Sequence, residues 1–411
     1  MDRMDVAIVG GGAAGFFLAV NLKELAPQVR VTIFEKQTGV LKKVLVSGGG
    51  RCNLTNSFAG VTDLKQVYPR GHQLLKKLFR TFGPEDAYRW FEAHGVRLVT
   101  QDDQCVFPAA QDAHVVADCL KGHAEKLGVT VKTSHAVESI EQRDGRYEIR
   151  FRDPHNPSQT FDCVAVTTGG SPRGETFGYL ERLGHRIEPP VPSLFTFNVP
   201  NPSLRALMGT VVEPAAVGIP GTKFKQSGAL LVTHWGLSGP AILKLSSHAA
   251  RFVHESGYRF PLLVNWTNET NAETVTAELQ DLCGQHPLKQ LGGMRPFGLP
   301  ARLWHHLLSK AGFPQERKWG EIGRKGVCKL ADALCNDRYK VDGRSAFREE
   351  FVTCGGISLQ SMQPQTLESK TCTGLYFAGE VLDIDGVTGG FNFQAAWTTA
   401  YTVAQAIAKK V

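Results

Sequence analysis

A chain of 411 residues with 42% apolar and 21% charged side chains is too long for a single hydrophobic core and too ordinary in composition for a disordered protein, so two or three globular domains are expected. Forty-six basic against 39 acidic residues give a net charge of +7; the densest basic groupings, Lys76-Lys77-Arg80 and Arg324-Lys325-Lys329, are short and read as solvated helix faces, so nucleic acid is not expected as a partner. Nine cysteines form no C-x-x-C pair and no cluster with histidine, which suits reduced thiols without a metal; with no leader-like segment and no unbroken apolar span, the expected location is the cytoplasm, off the membrane.

Residues 5–10, DVAIVG, are an apolar run ending in glycine, as in a buried parallel strand. Gly10-Gly11-Gly12-Ala13-Ala14-Gly15 follows as a G-x-G-x-x-G pattern, and residues 13–25 read as a helix with an apolar stripe of Ala14, Phe17, Leu18, Leu22 and Leu25 that Pro27 stops. Residues 29–34 alternate as a second strand, closed by Glu35. Gly10 makes the tight turn, Gly12 lets the main chain approach a pyrophosphate, and Gly15 lets the helix pack on the strand. The helix start at Ala13 and Ala14 offers free N–H groups and a partial positive charge to phosphates. Glu35 is placed to accept hydrogen bonds from ribose hydroxyls. Strand, glycines, helix, strand and acid in this order predict a Rossmann-like dinucleotide site.

Residues 42–56, KKVLVSGGGRCNLTN, set three glycines beside a lysine pair, an arginine and two asparagines. Lys43, Gly50, Arg51, Cys52 and Asn53 are the candidates here for wrapping a polyanion and a heteroaromatic ring. From Gly128 the pattern turns to short strands, at 129–132, 135–142, 147–151 and 161–168, with a turn at Asp144-Gly145. They read as a β-meander returning the chain to the sheet at Thr168-Gly169, near the cofactor or serving structure alone. Pro189-Pro190 marks a boundary. Residues 191–270 and 336–350 then read as a β-barrel-like lobe, and 271–335 as a small helical subdomain with runs at 272–283, 301–311 and 321–334. Residues 1–190 and 351–411 are expected to fold together as one domain.

Near the C-terminus, residues 375–378 (LYFA) are a short buried strand followed by Gly379-Glu380, and Gly389-Gly390 opens a helix through Phe391, Asn392 and Phe393. Glu380 at the strand end can hydrogen-bond a ribityl chain, a linker that NAD lacks. The helix start could face the flavin C2 carbonyl, where negative charge collects on reduction. One strand end for the AMP half and a remote one for the flavin half is the layout that non-covalent FAD requires.

GGGAAG at 10–15, SGGGRCNLTN at 47–56, THWGLSGPAILKLS at 233–246, VTCGGIS at 352–358 and GLYFAGEVLDIDGVTGGFNFQAA at 374–396 together resemble the BaiN/aminoacetone-oxidase-like flavoproteins, a branch of the glutathione-reductase-type FAD proteins. The resemblance implies FAD contacts at Ala14, Glu35, Lys36, Lys43, Arg51, Asn53, Glu380, Asp385, Asn392 and Phe393. It also implies that the strand beginning near Val137 passes the adenine. Glu380 stands where many of the wider class have aspartate.

The chemistry implied is FAD-dependent oxidation or reduction of a small organic substrate: NAD(P)H-fed reduction of an activated C=C bond, or O2-linked amine oxidation. An RNA-modifying flavoenzyme and a non-catalytic redox sensor are the alternatives. No second G-x-G-x-x-G stands at a strand–helix junction, so NAD(P)H would visit the flavin's open face transiently. His234 is the candidate acid/base, its ordinary pKa suiting proton transfer near neutrality; it could equally hydrogen-bond its own turn while Ser238 or Gly239 caps the following helix. Cys52 and Cys354 read as buried, inert thiols.

Overall fold

The protein, analysed as a computed structural model, is described for residues 3–171, 177–344 and 352–411. It divides into two compact units, Met1–Pro192 with Val352–Val411, and Ser193–Phe351. In the first, among the described residues, five strands form a parallel sheet in the order Leu375–Phe377, Cys163–Val166, Asp5–Val9, Arg30–Phe34, Thr130–Lys132. Val6, Ala7, Ile8 and Val164 to Val166 are buried, as strands covered on both faces must be.

Helix Ala13–Leu25 packs along the C-terminal helix Phe391–Ala408. Phe17 is the pivot of that contact, with the rings of Phe82, Trp90, Phe91 and Trp397 at 4.5–5.9 Å around it. From Asp5–Val9 the chain builds the sheet outward on one side, then crosses to the other with Cys163–Val166. This reversal leaves a crevice at the C-terminal ends of those two strands, the place where open α/β sheets bind ligands.

The expected meander is divided. Thr130–Lys132 joins the edge of the parallel sheet beside Arg30–Phe34, while Val137–Arg143, Arg146–Phe151 and Gln159–Phe161 form a separate antiparallel sheet. Alternation along a strand reports which face is buried, and says nothing about which distant strand it pairs with. The prolines at 189 and 190 do not end an element either. Ile187–Ser193 is a strand through both and pairs with Val352–Ile357, so the chain leaves and re-enters the first unit side by side. Gly355, at φ +103°, has no room for a side chain against the carbonyls of Glu188 and Pro189.

In the second unit, six described strands form an antiparallel sheet running Phe197–Asn198, Gly236–Ser238, Lys225–Val232, Val211–Gly218, Arg259–Asn265, Asp337–Asp342. The Asn198 N–H donates to the Gly343 carbonyl at 3.0 Å and Phe197 bridges Arg344, joining the two edges into a barrel. The helices Ala272–Gln285, Ala301–Lys310 and Gly323–Cys335 share one apolar core with it, through residues such as Trp266, Leu279, Trp304 and Leu330. Asp337 is buried where they meet, accepting from Trp266 Nε1 at 2.9 Å and Tyr339 OH at 2.5 Å and pairing with Lys310. Of the β-lobe segment expected over 336–350, Asp337–Asp342 is a strand; residues 345–351 lie outside the described residues. No described helix is long and apolar enough to cross a membrane, and the described residues hold no metal-ligating cluster.

Candidate functional site

The glycine turn is tight where the sequence requires it. Gly10 sits at φ +118°, and a Cβ there would run into the Thr167 main chain; one on Gly15 would run into the Gly10 carbonyl. Gly12 has nothing within 4 Å of where its Cβ would stand, and it caps helix Ala13–Leu25 without a side-chain hydrogen bond. An open helix N-terminus beside bare main chain is what a pyrophosphate needs, so the residues present fit a dinucleotide. Glu35 accepts from Gly11 N–H at 2.9 Å and Gln37 N–H at 2.8 Å. A carboxylate has about four acceptor positions, which leaves capacity for two ribose hydroxyls. His135 N–H bonds the Glu35 carbonyl at 2.8 Å, bringing the half-buried Val137 to the same end; Lys36 is exposed.

Residues 42–50 form a helix that breaks at Ser47–Gly49, with Gly48, Gly49 and Gly50 at φ +57°, +67° and +83°. Side chains at Gly49 and Gly50 would meet open space, so a stretch of bare main chain faces outward. Arg51 lies 4.5 Å from the Phe107 ring centroid and donates to the Gly48 carbonyl. With its amide turned to satisfy both atoms, Asn53 donates to the Thr55 carbonyl and accepts from Gly390 N–H at 3.3 Å, tying this segment to the start of the C-terminal helix. Cys52 is fully buried, and burial pushes its thiol up to about 12. Only its main chain can meet a ligand; as a thiol it is inert.

The strand ends bring the remaining candidates together. Gly379, at φ +77°, abuts Ala14, and Gly170 is pressed against Thr353 and Glu380. Glu380 accepts from Thr353 N–H and from the Lys43 ammonium, both at 2.8 Å. Gly169 turns at φ +73°. The Thr168 and Thr353 hydroxyls are buried here without a hydrogen-bond partner among the described residues, a costly state for a polar group unless a ligand supplies one. In the sequence, Thr353-Cys354-Gly355-Gly356 is a candidate stretch for the flavin's open face, but nothing there marks the Thr353 hydroxyl.

Four C-terminal candidates, Asp385, Phe391, Asn392 and Phe393, make side-chain contacts within the chain. The Asp385 carboxylate is fully buried in a two-point ion pair with Arg70, so what it can offer a flavin is main chain. Burial works against the Arg70 charge, but the Asp385 carboxylate outweighs it and raises the pKa. Both amide atoms of Asn392 are bonded to the Gly386 main chain, at 2.8 and 2.9 Å, bracing the 385–390 loop. Phe391 is buried against Tyr68 and Phe58, and Phe393 stacks on Trp397 at 5.6 Å. The helix they begin is capped by Gly390 at φ +88° with no side-chain bond. Arg70 had no motif to announce it; the available signal was an acid in a strongly apolar stretch, which needs a buried partner.

His234 belongs to the second unit. It is exposed, its ring edge-on to Trp235 at 4.3 Å, and the turn is held by Thr233, whose hydroxyl accepts from Gly236 N–H at 3.2 Å. The next helix, Pro240–His248, starts at Gly239 with no side-chain cap, so Ser238 does not cap it.

The HI0933-like protein Rossmann domain matches residues 4–406. The chain belongs to this family. Relatives aligned over nearly their whole lengths include a ribosomal RNA dihydrouridine synthase of Haemophilus influenzae (30% identical, 98% of each chain), that of Escherichia coli (28%, 98% of each) and a 3-dehydro-bile acid delta(4,6)-reductase of Clostridium scindens (25%, 98% of this chain and 99% of the other). In fold, this HI0933-like chain is similar to the 3-ketosteroid delta1-dehydrogenase of Sterolibacterium denitrificans (TM-score 0.54, 12% identity, 100% of each chain). The 3-ketosteroid-delta4-(5alpha)-dehydrogenase of Rhodococcus jostii RHA1 is a second such neighbour (TM-score 0.52, 13% identity, 99% of this chain and 98% of that one). The chain is an FAD-dependent oxidoreductase of the BaiN-like flavoprotein type.

Proposed function

We propose that this HI0933-like protein saturates a C=C bond conjugated to a carbonyl, with NAD(P)H as the source of electrons. The observation that carries the reading is that its full-length relatives are named for different substrates but one bond change. Dihydrouridine is uridine with the ring C=C beside a carbonyl saturated, and a delta(4,6)-reductase of a 3-keto compound removes double bonds in conjugation with the ketone.

Bound FAD supplies hydride chemistry; the chain's residues bind, orient and supply the proton. Gly10, Gly12, the N–H groups of Ala13 to Gly15, and Glu35 hold the adenosine diphosphate half. Lys43, Gly50, Arg51, Asn53, Thr168, Gly169, Gly379 and Glu380 line the ribityl and flavin half, and the N-terminus at Gly390 favours negative charge on the ring. His234 is assigned the proton that completes saturation.

The higher identity to the two ribosomal RNA enzymes favours a uracil in RNA as substrate; the steroid-like enone is the second reading, supported by the bile acid relative. Anaerobic stopped-flow separates them. NADH or NADPH should bleach the flavin, and protein-free ribosomal RNA should recolour it and gain two hydrogens at a uracil. Recolouring by a 3-keto-4-ene steroid and not by RNA selects the small-molecule reading. Flavin that no nicotinamide bleaches, but that an amine reduces in a reaction yielding hydrogen peroxide in air, refutes the proposal in favour of amine oxidation.

A further inference from the structure

The chain's net charge is concentrated in one place. Residues 286–329 carry nine Lys/Arg against two Glu, a net +7, while the other 367 residues balance, 37 basic against 37 acidic. Within the second unit the fold gathers these charges. Residues 287–291 run antiparallel beside 317–320, through Leu291 N–H to the Arg317 carbonyl at 2.8 Å, Trp319 N–H to the Lys289 carbonyl at 3.0 Å and a bridge between Gln290 and Lys318. Helix Gly323–Cys335 follows at once; Val327, Leu330, Ala331 and Leu334 face the core, and Arg324, Lys325 and Lys329 are exposed.

Lys325 and Lys329 stand one turn apart, a spacing at which like charges repel. Lys310 is neutralised by Asp337, but Lys289, Lys318, Arg324, Lys325 and Lys329 make no ion pair among the described residues. Among the described residues the acids of the adjoining helix Ala272–Gln285, Glu273, Glu278 and Asp281, form no ion pair with any of them, nor do Glu316 and Glu321; the Glu321 carboxylate accepts from the Lys318 main-chain N–H. The buried rings of Trp304 and Trp319, the latter in the paired stretch 317–320, stack at 6.1 Å. Unpaired like charge costs folding energy and adds nothing to the core, which is the electrostatic pattern of a polyanion-binding face.

Against the sequence expectation of solvated faces, we infer that this basic surface, with Lys289 and Lys318 on the paired stretches and Arg324, Lys325 and Lys329 on the helix that follows, docks the phosphate backbone of a folded RNA. The inference rests on the RNA-substrate reading above and adds where the RNA is held. Each lysine or arginine on a phosphate releases condensed counterions, so the face sets the salt dependence of binding and carries no base sequence itself.

The test uses the full-length, FAD-loaded protein, protein-free ribosomal RNA and filter binding across a salt series. Wild type should bind with strong salt dependence. Combining Lys318→Gln, Arg324→Gln, Lys325→Gln and Lys329→Gln should flatten the plot of log affinity against log salt by about 3, a little under one for each positive charge removed, and weaken binding at least about tenfold at moderate salt. Lys325→Gln with Lys329→Gln alone should give about half that change in slope, which covers the case in which the fourfold variant fails to fold. Lys76→Gln with Lys77→Gln and Arg80→Gln, in the exposed basic grouping of the first unit, should leave the slope as in wild type. An unchanged slope in the fourfold variant, with wild type salt-sensitive, places the docking surface elsewhere and leaves the RNA reading intact. Absence of salt-sensitive binding by wild type overturns both. Loss of binding to phosphatidylglycerol vesicles in the variant, with the RNA slope unchanged, would make the face a lipid-binding surface and overturn the inference.

Discussion

The two ends of the chain converge on the same strand ends but use their residues in different ways. At residues 10–35 the motif's residues act where they stand: the glycines clear space, the helix end is bare, and Glu35 points its carboxylate at the turn. At residues 379–393 most of the distinctive side chains hold the loop itself. Asp385 is spent on Arg70, Asn392 on Gly386, and Phe391 on an aromatic cluster, leaving mainly Glu380 and main-chain groups for a ligand. A strand–turn–helix needs only local geometry to present N–H groups. A loop that must stay open between a strand and a helix needs side chains to brace it, so residues that look like ligand contacts become scaffolding.

The largest expected effect breaks the C-terminal bracing. Arg70→Ala removes the arginine of a buried ion pair and should lower unfolding stability by about 3–5 kcal/mol, read by urea denaturation. Arg70→Ala with Asp385→Ala should recover part of that loss, because the buried carboxylate is gone. A double variant no more stable than the single one would mean the pair is not what holds the loop.

Glu35→Ala probes the other end. Losing charge-assisted bonds to ribose hydroxyls, about 1.5–3 kcal/mol, should weaken FAD retention roughly ten- to hundredfold, with turnover per bound flavin little changed. Unaltered FAD affinity would take Glu35 away from the ribose.

His234→Gln tests a residue outside both ends. It should lower kcat/KM about tenfold or more while bound FAD stays stoichiometric, since a proton donor acts on substrate and not on cofactor retention. Wild-type kinetics in this variant would remove His234 from the mechanism.

The smallest effect concerns thiols. Iodoacetamide near pH 8 should label the exposed Cys328 and leave Cys52 unmodified, because burial holds that thiol protonated up to about 12. Modification of Cys52 in the native protein would show that the 42–56 segment opens.

The dinucleotide strand, turn, helix and acid were legible because each residue's task is local: Gly10 and Gly15 have no space for a side chain, and the apolar stripe of residues 13–25 is periodic. The same locality explains what was not legible. Thr130–Lys132 alternates like any short strand, yet its partner is the second strand of the parallel sheet. Pro189 and Pro190, read as a boundary, lie in a strand paired with Val352–Ile357, more than 150 residues on in sequence. The Thr353 hydroxyl, unpartnered among the described residues, acquires meaning only beside Thr168, Gly170 and Glu380.

By itself, then, the sequence determined a strand–turn–helix of the dinucleotide-binding type with its acid, and a helix start at each of two remote glycine-rich segments, because bare main chain and helix ends are properties of a few consecutive residues. Tertiary structure alone decided that Asp385 belongs to Arg70, that Asn392 braces its own loop, and that residues 287–291 run beside 317–320. Those outcomes depend on which groups are buried together, and burial is settled by contacts between residues far apart in the chain.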